Sequence, residues 1–268
     1  MIPNILSIAG SDPSGGAGIQ ADVKSISANG GYAMAALTAL TAQNTQGVTG
    51  IELVPPAFVA QQIDAVFADI DVHAVKIGMI ATAEIAEAVA DALARNKAVN
   101  VVLDPVMVAK GGDRLLRQDA VAALKSRLVP LATLITPNLP EAAELTGEPE
   151  ITSRDDMPAL AHKLVSLGAK GVMLKGGHLD GEDSPDYLLT PDGQGTWLEG
   201  KRTATRNTHG TGCTLSAALA TQLALTGDAA TAARAAKAYV AEAIAAADRL
   251  SVGHGHGPTH HFHATQKG

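Results

Sequence analysis

The chain has 268 residues, 46% hydrophobic but only 3% aromatic, a formal net charge of −7 and a single cysteine. That length can bury a large core, and a hydrophobic set dominated by Ala, Val, Leu and Ile suits helices on a parallel sheet better than an aromatic-rich β-sandwich. An acidic balance without basic blocks excludes a nucleic-acid partner, no apolar run is long enough to span a membrane, the opening MIPNILSIAGSDPSGG lacks the marks of a signal peptide, and one thiol forms no internal disulfide, so a cytoplasmic protein is expected.

In chain order, NILSIAG (Asn4–Gly10) reads as a buried strand, and Ala17–Gly30 as a helix with Ile19, Val23 and Ile26 on one face. Pro56–Ile70 spaces Phe58, Ile63, Val66 and Phe67 in the same way, Val72–Ile80 is a β-branched strand, and Thr82–Asn96 is a helix capped by Thr82. Strand Val99–Val106, helix Gln118–Leu128, strand Ala132–Asn138, helix Arg154–Gly168 and strand Gly171–Gly177 continue the series. Asp186–Gly200 is expected to be a hairpin around Asp192-Gly193, followed by alanine-rich helices over Gly212–Leu225 and Asp228–Leu250. This alternation predicts an α/β fold, one domain over residues 1–268 with a mostly parallel sheet covered on both faces.

Ligands of such sheets sit beyond the carboxyl ends of the strands. GSDPSGGAG, KIGM, DPVMVAKGGD, TPNLPE and KGGH all fall at that edge. GSDPSGGAG fits neither a Walker loop nor a dinucleotide fingerprint. In NTHGTGC, glycines flank Thr211 at the start of a small-residue helix, so Gly210, Thr211 and Gly212 can form an anion hole without a lysine. Cys213 follows, and is either a buried structural thiol or part of that site. Asn138 and Glu141 are spaced as a capping box, which needs no metal. Asp104 before Pro105 reads equally as a carboxylate ligand or a tight turn. Lys175 reads equally as a phosphate-neutralising group or a solvated strand-end lysine, whereas Lys237, among alanines, is expected to snorkel at the surface. The histidine-rich GHGHGPTHHFHA is expected to be a surface tail rather than a zinc site.

Together, SIAGSDPSGGAGIQADVKS, TAQNTQGV, KIGM, LDPVM, LITPNLPEA, LKGGH and NTHGTGCTLSAALA resemble the hydroxymethylpyrimidine/phosphomethylpyrimidine kinases, a ribokinase-like family of thiamine biosynthesis. The resemblance runs from Asn4 to the histidine-rich ending. It implies ATP-dependent phosphorylation of 4-amino-5-hydroxymethyl-2-methylpyrimidine and then of its monophosphate, Mg²⁺ as cofactor, and a homodimer. It implies that Cys213 stands where related enzymes carry a base, that Thr208, Asn138 and Lys175 meet the nucleotide, and that Glu141 with Asp104 organises magnesium, through water. Gln43 is the implied pyrimidine contact, with Asp22 on the hydroxymethyl group or ring edge unless it is simply exposed. Met79 and Val106 are apolar walls or core, and Gly10 leaves room for the ring. A helix N-terminus stabilises a thiolate by roughly 0.3–2 kcal/mol, but a phosphate about 4 Å away repels it by about 4 kcal/mol, so Cys213 is expected to remain a thiol when ATP binds. Pyridoxal kinase is the alternative within the class, and a non-catalytic pyrimidine-binding module the alternative outside it. A dinucleotide oxidoreductase lacks its G-x-G-x-x-G.

Overall fold

Side-chain alternation along short strands builds the core of the computed structural model, which describes residues 1–107 and 118–266. The strands are β1 (Asn4–Ala9), β2 (Tyr32–Leu37), β3 (Ala39–Asn44), β4 (Gly47–Leu53), β5 (Ala74–Ile77), β6 (Val101–Leu103), β7 (Leu134–Ile135), β8 (Val172–Lys175), β9 (Asp186–Leu189) and β10 (Gly195–Leu198). Among the described residues, eight of them form one sheet in the order β10-β9-β8-β7-β6-β5-β1-β2. Neighbours from β2 through β8 are parallel, and β9 and β10 add the antiparallel hairpin expected around Asp192-Gly193. β3 and β4 form a separate antiparallel ribbon with an irregularity at Ala42/Gln43.

The helices are α1 (Gly18–Ala28), α2 (Pro56–Phe67), α3 (Ala83–Arg95), α4 (Gln118–Ala123), α5 (Leu139–Thr146), α6 (Met157–Val165), α7 (Thr211–Thr226) and α8 (Ala229–Ala245). Leu6, Ile8, Val75, Ile77, Leu103 and Leu174 face the layer made by α2 to α6. The alternate residues Ile5, Ala74, Val102, Leu134 and Met173 face α1, α7 and α8. Because the side-chain period is two, Ser7, Lys76, Asp104, Thr136 and Lys175 continue this second set toward the carboxyl edge. Polar groups from five parallel strands are thereby gathered under the start of α7.

Several elements differ from expectation. The helix predicted to Leu128 is helical over that span but α-helical only to Ala123, then widens into a π-helix (Leu124–Leu128), and a 3₁₀ turn (Val129–Leu131) follows before Ala132. β6 stops at Leu103, since Asp104 is followed by a proline with no N–H for a ladder. β2 escapes sequence reasoning because YAMAAL carries no β-branched residue, and it is ordered by pairing with β1. The ribbon escapes it because half its side chains are exposed. The part of DPVMVAKGGD beyond Met107 lies outside the described residues.

Candidate active site

A cleft of about 810 Å³ opens at the carboxyl edge of the sheet, over the start of α7. Gly210 caps that helix with φ +75°, and a Cβ there would overlap the Gly16 carbonyl oxygen, so the turn demands glycine. Thr211 Oγ1 donates to the Thr208 carbonyl at 2.8 Å, which closes the turn. Thr208, Gly210, Thr211, Gly212 and Cys213 all line the cleft. The first amides of a helix have no intrahelical acceptor and point outward along its axis, so this rim presents N–H groups and positive potential to an anion.

Against the turn, 3.4 Å from where a Cβ on Gly212 would stand, Lys175 Nζ lies 3.1 Å from Asp104 Oδ1 and 3.8 Å from Glu141 Oε2. Its side chain is only 15% exposed, so it is not a solvated strand-end lysine. Burial works against its charge, but Asp104 and Glu141 outweigh that and hold its pKa above the ordinary lysine range. Burial likewise opposes the Asp104 carboxylate, yet Lys175, Lys76 and the Thr136 hydroxyl keep it below the usual range. Glu141 goes the other way: burial and the nearby Asp104 charge, against Lys175, push it up to about 7. The capping box is real, since Glu141 N donates to Asn138 Oδ1 and Asn138 N to Glu141 Oε2, both at 2.8 Å. Both carboxylates and Asn138 nevertheless line the cleft.

Cys213 lies between two helix starts, with the Gly18 amide of α1 in hydrogen-bonding reach of its sulfur. Burial, only partly offset by Lys76, pushes the thiol up to about 11, so the neutral thiol is the resting form. Lys76 is one group that sequence reasoning missed. It is fully buried, and its ammonium donates to both oxygens of Asp22, at 2.8 and 2.7 Å, while Ser7 Oγ donates to Asp22 Oδ2 at 2.6 Å. Burial opposes both charges and pushes the Asp22 carboxyl up, but at Lys76 the Asp22 charge outweighs burial and holds the ammonium above the ordinary lysine range, so the 2.7 Å contact is assigned as an ion pair. This corrects the expectation for Asp22. It neither lines the cleft nor is exposed; it holds Lys76 beneath the cysteine. The signal was the period-two phase of AVKI.

At the other end, Gln43, Met79, Val106 and Gly10 line the cleft as expected. The Met79 methyl occupies the space a Gly10 side chain would need. Beside them stands a pair the sequence reading did not single out, His209 Nε2 at 2.8 Å from Asp12 Oδ2, with Gln43 Nε2 3.5 Å from the same ring nitrogen. At the hairpin end Lys237 is also misjudged by its alanine surroundings. It lines the cleft and donates to Ser184 O at 2.6 Å and Asp186 Oδ2 at 2.8 Å, while Asp186 Oδ1 accepts from Gly176 N. The histidine-rich segment is not a surface tail throughout, because His260 and His261 are buried against α7 and α8.

The profile of the family described as phosphomethylpyrimidine kinase matches residues 12–260. The chain is 52% identical over 261 residues to the hydroxymethylpyrimidine/phosphomethylpyrimidine kinase of Escherichia coli (strain K12), covering 97% of this chain and 98% of that one. Its fold superposes on phosphomethylpyrimidine kinase from Clostridium difficile 630 with a TM-score of 0.80 and 43% identity, over 90% of this chain and 99% of that one. It also matches an ADP complex of Bacillus subtilis pyridoxal kinase, with a TM-score of 0.89 and 38% identity over 97% and 98% of the two chains. An open helix start facing a lysine and two carboxylates accords with these likenesses, and the chain belongs to the phosphomethylpyrimidine kinase family.

Proposed function

We propose that this chain transfers the γ-phosphoryl group of ATP to 4-amino-5-hydroxymethyl-2-methylpyrimidine, and a second phosphoryl group to the resulting monophosphate, for thiamine biosynthesis. The observation that carries the reading is the meeting, in one cleft, of the Gly210–Cys213 turn with Lys175 on one side and the Gln43 amide on the other. Phosphoryl transfer needs alignment and charge neutralisation more than covalent help. The turn's amides take charge on the migrating group, and Lys175, at about 4 Å from a phosphate oxygen, contributes about 4 kcal/mol of attraction at an effective dielectric near 20. Cys213 meets the acceptor hydroxyl as a thiol and serves as a hydrogen-bond partner, with proton transfer late in the reaction.

Among the described residues no group of three His, Cys, Asp or Glu side chains could hold a metal by itself. Mg²⁺ bound with the nucleotide would keep much of its water shell and would supply charge neutralisation there. Glu141 and Asp104 would receive that water, with Asn138 and Thr208 beside the phosphates. Gln43 offers the donor and acceptor that an aminopyrimidine edge requires, and Met79 and Val106 offer apolar walls. Residues 1–268 act as one domain, in the cytoplasm, where ATP and a free thiol coexist. The chain is a homodimer whose contact uses the exposed Leu40, Ile51 and Leu53 of the ribbon with Phe58.

Pyridoxal phosphorylation is the second reading, favoured by the likeness to B. subtilis pyridoxal kinase. An ATP-coupled assay with the hydroxymethylpyrimidine, its monophosphate and pyridoxal, with mass spectrometry of products, separates the two. Mono- and diphosphorylated pyrimidine are expected. Turnover of pyridoxal alone rejects the first reading, and light scattering reports the dimer.

A further inference from the structure

Residues 255–261 run as a strap from the ribbon to the anion turn. His256 N donates to Thr45 O at 2.9 Å, Gly257 N to Asn207 Oδ1 at 3.1 Å, and His209 N to Gly257 O at 3.0 Å. The strap ends buried at Thr259, His260 and His261, of which His261 lies one residue past the stretch the family profile matches. His261 Nε2 is 3.0 Å from Thr214 Oγ1, and Tyr239 OH donates to the His261 carbonyl at 2.9 Å. Thr214 Oγ1 in turn lies 2.8 Å from the Gly210 carbonyl, which also accepts the Thr214 amide at 2.8 Å.

Proton accounting gives this chain a direction. A carbonyl only accepts, so the single Thr214 hydroxyl proton goes to Gly210 O. The Thr214 oxygen is then free to accept, from His261 Nε2 at 3.0 Å when the ring proton sits on that nitrogen and from the Thr259 hydroxyl at 3.3 Å. Burial, reinforced by Lys24 and His260, pushes His261 down to about 4, so the imidazole is neutral and has one such proton to place. Two donors thus hold the carbonyl of the left-handed Gly210. Since a peptide unit is planar, holding that oxygen sets the plane joining Gly210 to Thr211 and the pitch of the turn on which the Gly212 and Cys213 amides ride.

We propose that His261 is a positioning residue, which aims the amides of the Gly210–Cys213 turn by donating to Thr214. It touches no reactant, so its effect falls on the rate of transfer rather than on pyrimidine affinity. The proposal rests on the assignment of the migrating phosphoryl group to that turn. Gln places its amide where Nε2 stands, whereas Asn places it where Nδ1 stands. With ATP and hydroxymethylpyrimidine, His261→Asn should lower kcat about tenfold with KM for the pyrimidine within about twofold, and His261→Gln should stay within about threefold of the parent. Thr214→Val should reproduce the loss, and the double variant Thr214→Val/His261→Asn should be no slower than Thr214→Val alone. Equal kcat for the Asn and Gln variants, an undiminished rate for Thr214→Val, or a rise in KM at unchanged kcat overturns it. Should His261→Asn lack the parent's circular dichroism, Thr214→Val decides by the same kcat criterion. Gly212→Asp tests the underlying assignment separately. A carboxylate in the turn abolishes transfer if phosphate binds there, and retained turnover rejects that assignment whatever His261 does.

Discussion

The buried pair of Lys76 and Asp22 makes a quantitative claim. Its charges stand 2.7 Å apart with both side chains 0% exposed. At an effective dielectric near 20 their attraction is about 6 kcal/mol, offset by several kcal/mol of desolvation for each ion. The pair as a whole therefore adds little stability, but removing one partner leaves an uncompensated charge at a cost of about 3–5 kcal/mol. At about 2–4 °C per kcal/mol for a domain of this size, Asp22→Asn or Lys76→Met should lower Tm by about 6–20 °C. The double variant Lys76→Met/Asp22→Leu, which removes both charges, should recover at least half of that loss. Because Asp22 does not line the cleft, KM for the pyrimidine in Asp22→Asn should stay within about twofold of the parent. Urea and thermal denaturation with steady-state kinetics measure all of this. A loss under about 1 kcal/mol for both single variants, or a double variant worse than either, would refute the account of an ionised pair.

Cys213, pushed from 9.0 up to about 11, should alkylate about 100-fold more slowly at neutral pH than a thiol at the ordinary value, with a rate that climbs through pH 11; an iodoacetamide profile levelling off below pH 8 contradicts the buried thiol. Lys237→Met frees the loop held at Ser184 and Asp186, so KM for ATP should rise about tenfold while KM for the pyrimidine holds, as two-substrate kinetics would reveal. His261 has a folded pKa near 4 against about 6.5 unfolded, so the unfolded chain binds the extra proton as pH falls. Stability from this group is present above pH 6.5 and about 2 kcal/mol of it is lost by pH 5. Urea titrations at pH 7.5 and 5 should show His261→Gln losing that much less than the parent.

The helices were legible where one face repeats, as in α3 with its Thr82 cap, and the strands where β-branched residues run together, as in β5. The turn that starts α7 was legible because Gly210 marks left-handed backbone where a side chain would overlap Gly16. What escaped depends on distant partners. Lys76 looked like an ordinary strand residue until α1 set Asp22 against it. Lys237 looked solvated because Asp186 and Ser184 reach it from the hairpin end of the sheet. Glycine and histidine in the strap suggested solvent, yet Tyr239, Thr214 and Thr45 bury it from three separate elements. Composition near a residue reports its neighbours along the chain, and these sites are made by neighbours across it.

The close approach of Gly210 to Gly16 has a consequence for biosynthesis. The loop from the first strand and the start of α7 lean on each other, and the strap to His261 locks behind them. During translation the earlier strands can pair as they leave the ribosome, but this junction must wait for residue 261 to emerge. A nascent polypeptide stalled before that point would carry every strand of the sheet yet lack the strap that packs behind the Gly210 turn.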